Sequence, residues 1–141
     1  MYLTEHFTLE ELTRSATAIA LGIDNTPDAE ATENLKNLCT EVLEPLRQWA
    51  GVPITVSSGY RSPELNRAVG GTVISQHQKG EAADIYIPSI AEGRKYLMFI
   101  LENCCFDQLI WEYDRFNTHW IHVSCRRGKN RQTFVPKLLK R

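Results

Sequence analysis

The chain has 141 residues, of which 43% are hydrophobic and 23% charged, and its formal net charge is −1. This length and composition predict one globular domain over residues 1–141, with a core that needs no disulfide bridges. The small net charge does not fit a nucleic-acid-binding surface, and no apolar stretch is long enough to span a bilayer. We also expect the protein to be a monomer.

The cysteines and the first residues indicate where the protein is made. Cys39, Cys104, Cys105 and Cys125 show no C-x-x-C spacing, so we interpret them as buried free thiols of a reducing compartment. Residues 1–6 lack the basic start and the long apolar run of a signal peptide. We therefore expect synthesis in the cytoplasm without a signal peptide.

The first half of the chain is predicted to be mainly helical. Thr8 and Glu11 have the spacing of a capping box and predict a short helix, and residues 15–21 extend the helical pattern. Residues 28–50 form the clearest helix, which Pro45 should kink or divide. The apolar positions that define this helix are Leu35, Leu38, Val42 and Leu46.

The second half alternates between short strands and helices. Residues 63–69 and 89–103 are predicted helices. Residue composition predicts strands over residues 54–58, 83–88, 108–112 and 120–125. We assign Trp111 and Trp120 to the core. The predicted fold is α+β, with a small antiparallel or mixed sheet of about four strands backed by helices.

The residues with the clearest chemistry lie between positions 75 and 85. His77 precedes Gly80, which lets the chain reverse because glycine tolerates a positive φ, and Asp84 follows near the start of a strand. The simple interpretation is a capped turn followed by a surface strand. However, His122 lies in an apolar strand where a polar side chain needs a partner. Two histidines and an aspartate are also a ligand set of catalytic zinc sites.

These motifs resemble those of the M15 family of zinc peptidases. That family includes D-alanyl-D-alanine carboxypeptidases, D-Ala-D-Ala dipeptidases and phage L-alanyl-D-glutamate endopeptidases. The similarity covers nearly the whole chain and is closest to the small single-domain members. The matching segments are Ser75-x-His77-x-x-Gly80-x-Ala82-x-Asp84, residues 120–124 and residues 58–66.

The resemblance implies a zinc peptidase that cleaves peptidoglycan stem peptides, as a carboxypeptidase or as an endopeptidase. It implies one Zn²⁺ ion held by His77, Asp84 and His122 on one face of the sheet. Without a signal peptide, such a protein would reach the cell wall after lysis, phage release or an unrecognised export. The alternative is a non-catalytic zinc-containing module of the same fold that binds the cell wall or belongs to a virion.

The general base is left open between two residues. Better-known family members carry Asp or Glu three residues before the last ligand, where this chain has His119. Strand alternation places His119 on the face opposite His122, so it reaches the metal only if the strand bends or begins after it. Glu112, on the preceding strand, is the rival. Its alternative role is to orient a ligand histidine.

Four further residues are candidates for contact with the substrate. We expect Arg61 to bind a substrate carboxylate or a developing oxyanion, and its alternative is a surface ion pair with Glu64. Ser75 is expected to contact substrate backbone or to cap the turn before His77. Tyr60 and Gln76 are candidate walls of the cleft.

The end of the chain collects basic residues. We interpret it as a solvated and partly frayed terminus, and the weaker alternative is attraction to an anionic cell wall. The residues concerned are Arg126, Arg127, Lys129, Arg131, Lys137, Lys140 and Arg141.

Overall fold

The fold is built on one open sheet of five strands, seen in a computed structural model that describes residues 1–140. The strand order is β1-β2-β4-β3-β5, and the predicted α+β class is confirmed. The strands are β1 (Val56–Ser58), β2 (Ala82–Tyr86), β3 (Gln108–Tyr113), β4 (His119–Ser124) and β5 (Thr133–Leu139).

The sheet is mixed because only its last pair is parallel. β1 pairs with β2, β2 with β4 and β4 with β3 in antiparallel register, whereas β5 runs parallel to β3. In the centre, Asp84 on β2 lies opposite His122 on β4, and His122 lies opposite Ile110 on β3. Directly opposed residues point to the same face of a sheet. This register therefore fixes which polar side chains lie together.

The fifth strand was not predicted, and the interpretation of the basic tail as a frayed terminus is wrong for β5. Arg131, just before β5, makes a 2.7 Å ion pair from its Nη2 to Oδ2 of the fully buried Asp107. At the other end, the Lys140 N–H donates to the Tyr113 carbonyl at 2.7 Å. These contacts hold the strand against β3 although its composition is basic.

The helices are short except for the last. The capping box of Thr8 and Glu11 is present at the first helix, as predicted. A 3₁₀ turn over Gln76–Lys79 leads into β2. The α-helices are α1 (Leu9–Thr13), α2 (Ala16–Leu21), α3 (Ala29–Leu38), α4 (Glu44–Ala50), α5 (Pro63–Ala68) and α6 (Ile90–Asn103).

The long helix predicted over residues 28–50 is interrupted before Pro45 but not divided, because the backbone stays right-handed helical from α3 into α4. A π-helical turn, Cys39–Leu43, joins α3 to α4. Pro45 lies directly after this turn, in the first turn of α4. The apolar positions of this helical segment are fully buried, so it backs the sheet as expected.

The two faces of the sheet differ in chemistry. Ile85, Trp111 and Ile121 point into the single hydrophobic core cluster, which the helices cover. The alternate positions carry Asp84, Glu112 and His122 on the opposite face. Trp120 lies on that polar face and is only half-buried, so its predicted place in the core is wrong. Trp111 is buried in the core, as predicted.

Burial tests the prediction that the four cysteines are buried free thiols. Three of the cysteines are buried free thiols, but Cys105 is exposed. Burial is the main reason that the pKa of Cys39 rises to about 12, so this thiol is unreactive at neutral pH.

Within residues 1–140, no helix combines the length and the apolar character needed to cross a membrane.

Candidate metal centre

Three side chains converge on one point on the polar face of the sheet. His77, Asp84 and His122 each offer one ligand atom, and these atoms lie within 4.8 Å of one another. His122 Nδ1 is 3.1 Å from Asp84 Oδ1, and His77 Nε2 is 3.5 Å from the same oxygen. Ligands of one tetrahedral zinc ion at about 2.1 Å are roughly 3.4 Å apart. The donor set and its spacing therefore fit a zinc ion.

Different elements deliver the three side chains. Asp84 and His122 are opposed on β2 and β4, so the sheet itself brings them together. His77 comes from the 3₁₀ turn, which Gly80 ends with a φ of 74°. The predicted chain reversal at Gly80 is therefore present. A Cβ at this position would lie 2.4 Å from the Ala31 carbonyl oxygen, so only glycine fits.

A backbone carbonyl fixes the His77 ring. His77 Nδ1 lies 2.7 Å from the Gly59 carbonyl oxygen. A carbonyl only accepts, so Nδ1 carries the proton and Nε2 faces the cluster with a free lone pair. Gly59 in turn contacts α1, because a Cβ there would lie 2.2 Å from the Leu12 carbonyl oxygen.

The carboxylate at the centre of the cluster is buried and charged. Burial favours the protonated form of Asp84, but the neighbouring His122 and His77 imidazoles favour its ionised form and outweigh burial. The pKa of Asp84 therefore lies well below its usual range. A carboxylate that stays ionised is ready to bind a cation.

Glu112 lies beside the cluster and is only 3% exposed. Its Oε1 accepts the Trp120 indole N–H at 2.8 Å and lies 3.9 Å from His122 Nδ1. Its Oε2 lies 3.5 Å from Lys140 Nζ. Of the two residues considered as general base, Glu112 is the one that the fold brings to the candidate ligands.

His119 lies on the other face of the sheet. Its Nδ1 accepts the Trp111 indole N–H at 2.9 Å, and its Nε2 contacts Asn117 Oδ1 at 2.8 Å. Its ring also stacks on Tyr113. The strand begins at His119 without a bend, so alternation turns this side chain away from His122.

Arg61 reaches the cluster from the segment between β1 and α5. Its Nη2 lies 3.7 Å from Asp84 Oδ2, and its other nitrogens donate to Ser58 and Asn66. The alternative ion pair with Glu64 is not formed within residues 1–140. Burial lowers the pKa of Arg61 and the charges of Asp84 and Glu112 oppose that shift, so the guanidinium stays charged at neutral pH.

The other three candidate substrate contacts have structural partners. Ser75 Oγ accepts the His77 backbone N–H at 3.2 Å, which is the turn-capping alternative. Gln76 Nε2 donates to Asp107 Oδ2 at 3.0 Å and so ties the His77 turn to the start of β3. Tyr60 is 8% exposed and belongs to the core cluster, although it also lines a groove beside β1.

Sequence reasoning did not assign two residues near the centre to the site. Strand alternation puts Trp120 on the face of His122, but its aromatic character led to its assignment to the core and not to the side of Glu112. Lys140 gave no such signal, because its approach to Glu112 depends on β5.

A second group of possible ligands has a structural explanation. Glu5, His6 and Glu44 also lie within reach of one point, but Glu5 is exposed. Both oxygens of Glu44 are occupied by His6, through its backbone N–H at 2.8 Å and its Nδ1 at 2.6 Å. This clamp ties the N-terminal segment to α4.

Two histidines and an aspartate on one point, with a buried carboxylate beside them, define a candidate hydrolytic metal centre. A family model described as Peptidase M15 matches residues 5–124. The chain therefore belongs to the peptidase M15 family, whose members hydrolyse peptide bonds and are generally metal-dependent. No curated protein matches the chain at a significant level.

Proposed function

We propose that the protein is a zinc-dependent metallopeptidase that cleaves peptidoglycan stem peptides, as a D-Ala-D-Ala carboxypeptidase or as an L-Ala-D-Glu-type endopeptidase. The observation that carries this proposal is the convergence of His77 Nε2, Asp84 Oδ1 and His122 Nδ1 beside Glu112. We also propose that residues 1–141 act as one domain, which the single hydrophobic core cluster supports, and that the protein is a monomer. The protein would meet its substrate after lysis, phage release or export.

His77, Asp84 and His122 would hold the ion. When bound, a zinc ion polarises a peptide carbonyl and makes water nucleophilic near neutral pH. Three protein ligands leave a position open for reactants, as in catalytic rather than structural sites.

Glu112 is the proposed general base and general acid. Its carboxylate takes a proton from the attacking water and later gives it to the leaving amine nitrogen. The Trp120 N–H holds Oε1 on the side of His122, so the carboxylate is oriented before substrate binds. Burial at 3% exposure limits competition from bulk water.

Arg61 supplies positive charge next to the cluster. A guanidinium has five N–H donors, and the three partners of Arg61 leave some of them free. We propose that these donors bind a substrate carboxylate or the oxyanion that develops on the scissile carbonyl. This role explains why a charged side chain is held half-buried beside Asp84.

The test is digestion of purified peptidoglycan by the zinc-loaded protein, with and without chelator, followed by mass spectrometry of the released fragments. We expect peptide products that disappear with chelator and return with zinc, and their masses identify the bond. If zinc is bound and the fold is intact but several wall types yield no product, the protein is a binding module instead.

A further inference from the structure

A groove lies on the β1 side of the sheet, and it shares one side chain with the candidate metal centre. It has a volume of about 590 Å³, within the range of about 300–1,000 Å³ that is usual for ligand sites. One wall is formed by residues 53–58, which include β1, and the other by Glu11 and residues 14–17 at the junction of α1 and α2. Arg61 lines this groove, and its Nη2 lies 3.7 Å from Asp84 Oδ2 in the centre.

The groove exposes one edge of the sheet. β1 is the first strand in the sheet order, and it pairs only with β2. Thr55 and Ser57 are exposed along it. An open strand edge can receive an extended peptide as an additional strand, with backbone hydrogen bonds as the source of affinity.

The charges in the groove are unbalanced. Its charged residues are Glu11, Arg14 and Arg61. Glu11 Oε1 accepts the Thr8 backbone N–H and hydroxyl in the capping box, and Glu11 forms no ion pair with Arg14 within residues 1–140. Arg14 is exposed and makes no hydrogen bond or ion pair within residues 1–140. Arg14 therefore offers a ligand a positive charge that has no protein partner. The other cation of the groove, Arg61, faces the candidate metal centre.

The other groove of similar size lacks these features. It has a volume of about 510 Å³ and is not lined by Arg61, the side chain that the first groove shares with the candidate metal centre. Its cations are accompanied by acidic side chains on the same walls. Its charged residues are Asp28, Glu30, Lys79, Glu81, Arg126, Arg127 and Lys129.

We propose that the β1 groove binds the part of the substrate peptide outside the scissile bond in extended form, and that Arg14 recognises a free carboxylate on it. This inference rests on the proposed function, and it adds a specificity-determining residue and a substrate class, acidic peptides. Arg14 acts in binding and not in the chemical step. Arg–carboxylate recognition is favoured by the planar fork of the guanidinium.

The experiment compares two synthetic stem peptides, L-Ala-γ-D-Glu-L-Lys-D-Ala-D-Ala and the same peptide with the free α-carboxylate of its D-Glu converted to a carboxamide. Their affinities are measured for the full zinc-loaded chain carrying Glu112→Gln, so that cleavage does not interfere. The same measurement is made after adding Arg14→Gln. The matched control is Arg94→Gln, an exposed arginine on α6 that is remote from the groove lining.

We expect Arg14→Gln to weaken binding of the carboxylate peptide about fivefold, the usual effect of one partly exposed charge pair. The affinity for the carboxamide peptide should not change. Arg94→Gln should change neither. Amide NMR signals of Val56, Ser57 and Ser58 should shift on titration of the carboxylate peptide. Equal losses for both peptides, no loss, or shifts confined to the other groove would overturn the inference.

Failure of the two proposals can be told apart. If the wild-type chain cleaves peptide without any effect of Arg14→Gln on the carboxylate peptide, the groove inference fails and the peptidase stands. If the carboxylate is discriminated through Arg14 but no peptide is ever cleaved, the groove inference stands and the peptidase activity fails.

Discussion

Trp120 donates its indole N–H to Oε1 of Glu112 at 2.8 Å, and the two residues lie directly opposite each other on β4 and β3. The same oxygen lies 3.9 Å from His122 Nδ1. One cross-strand pair therefore fixes a buried carboxylate next to a candidate metal ligand. This pair makes Glu112 and not His119 the residue to test as general base.

Glu112→Gln should abolish turnover without loss of zinc. Glutamine keeps an oxygen that accepts the Trp120 N–H, but it cannot take a proton at neutral pH. We expect kcat to fall about 10²- to 10⁴-fold, the usual contribution of general acid–base catalysis. Glu92→Gln, an acid of α6 paired only with Lys95, is the control and should keep full activity. If Glu112→Gln works at a near-normal rate, Glu112 is not the base.

His122→Ala should lose zinc and activity, and His119→Ala should keep both. Two histidines three residues apart on one strand make a matched pair, because only His122 faces Asp84. Zinc content after dialysis and peptide release from the wall are the measurements. Full activity of His122→Ala would show that the ligand assignment is wrong. We expect His119→Ala to lower only stability, since it leaves the Trp111 N–H without its acceptor.

Gly80→Ala should disturb both stability and zinc affinity. Alanine at a φ of 74° is strained, and its Cβ would lie 2.4 Å from the Ala31 carbonyl oxygen. Gly128→Ala is the control, because Gly128 has a φ of 73° with open space around it. We expect the control to lose about 1–2 kcal/mol of unfolding free energy from backbone strain alone.

Because of this clash, Gly80→Ala should lose about 1–3 kcal/mol more unfolding free energy than Gly128→Ala, as measured by urea denaturation. Zinc affinity should also fall, because the turn that carries His77 must move. If both variants lose the same stability and bind zinc equally well, the contact between this turn and α3 is unimportant.

Asp107→Asn should weaken the attachment of β5 in a pH-dependent manner. Hydrogen bonds from Arg131 are the main reason that the pKa of Asp107 falls from 3.8 to about 2. A lowered pKa means that this stabilisation is complete above about pH 4 and is lost as the pH falls through 2. We expect a loss of about 2 kcal/mol at neutral pH, a usual value for a charged hydrogen bond.

Urea denaturation at several pH values measures this loss. The difference between wild type and Asp107→Asn should shrink toward zero near pH 2. Glu102→Gln, an exposed acid of α6, should show little difference from wild type at any pH. A difference for Asp107→Asn that does not vary with pH would contradict the ionised contact with Arg131.

Much of the fold could be predicted because its signals are local. The capping box at Thr8 and the irregular helical turn before Pro45 follow from residues that are close in sequence. The fifth strand could not be predicted, since its pairing depends on Arg131 meeting the buried Asp107, 24 residues away. Its basic residues and Pro136 also oppose strand formation on composition alone.

The candidate site also combines features that local sequence predicts with features that depend on tertiary structure. Motif spacing together with the family resemblance selected His77, Asp84 and His122 as candidate ligands, and strand alternation already argued against His119. Sequence did not reveal the register of β3 on β4, which places Glu112 opposite Trp120. Nor did it show that Ser75 and Gln76 are occupied by the turn and by Asp107. Pairing across strands depends on tertiary structure, and a single sequence does not contain a direct signal for it.

Gly59 joins the candidate metal centre to the first helix, since its carbonyl holds the His77 ring while its Cα packs on the Leu12 carbonyl. The orientation of a candidate metal ligand is thus set by a helix that contributes no ligand. A small molecule that wedged α1 away from Gly59 would release the imidazole and inhibit the enzyme without entering the cleft. Inhibitor screens that monitor only displacement of substrate would miss such compounds.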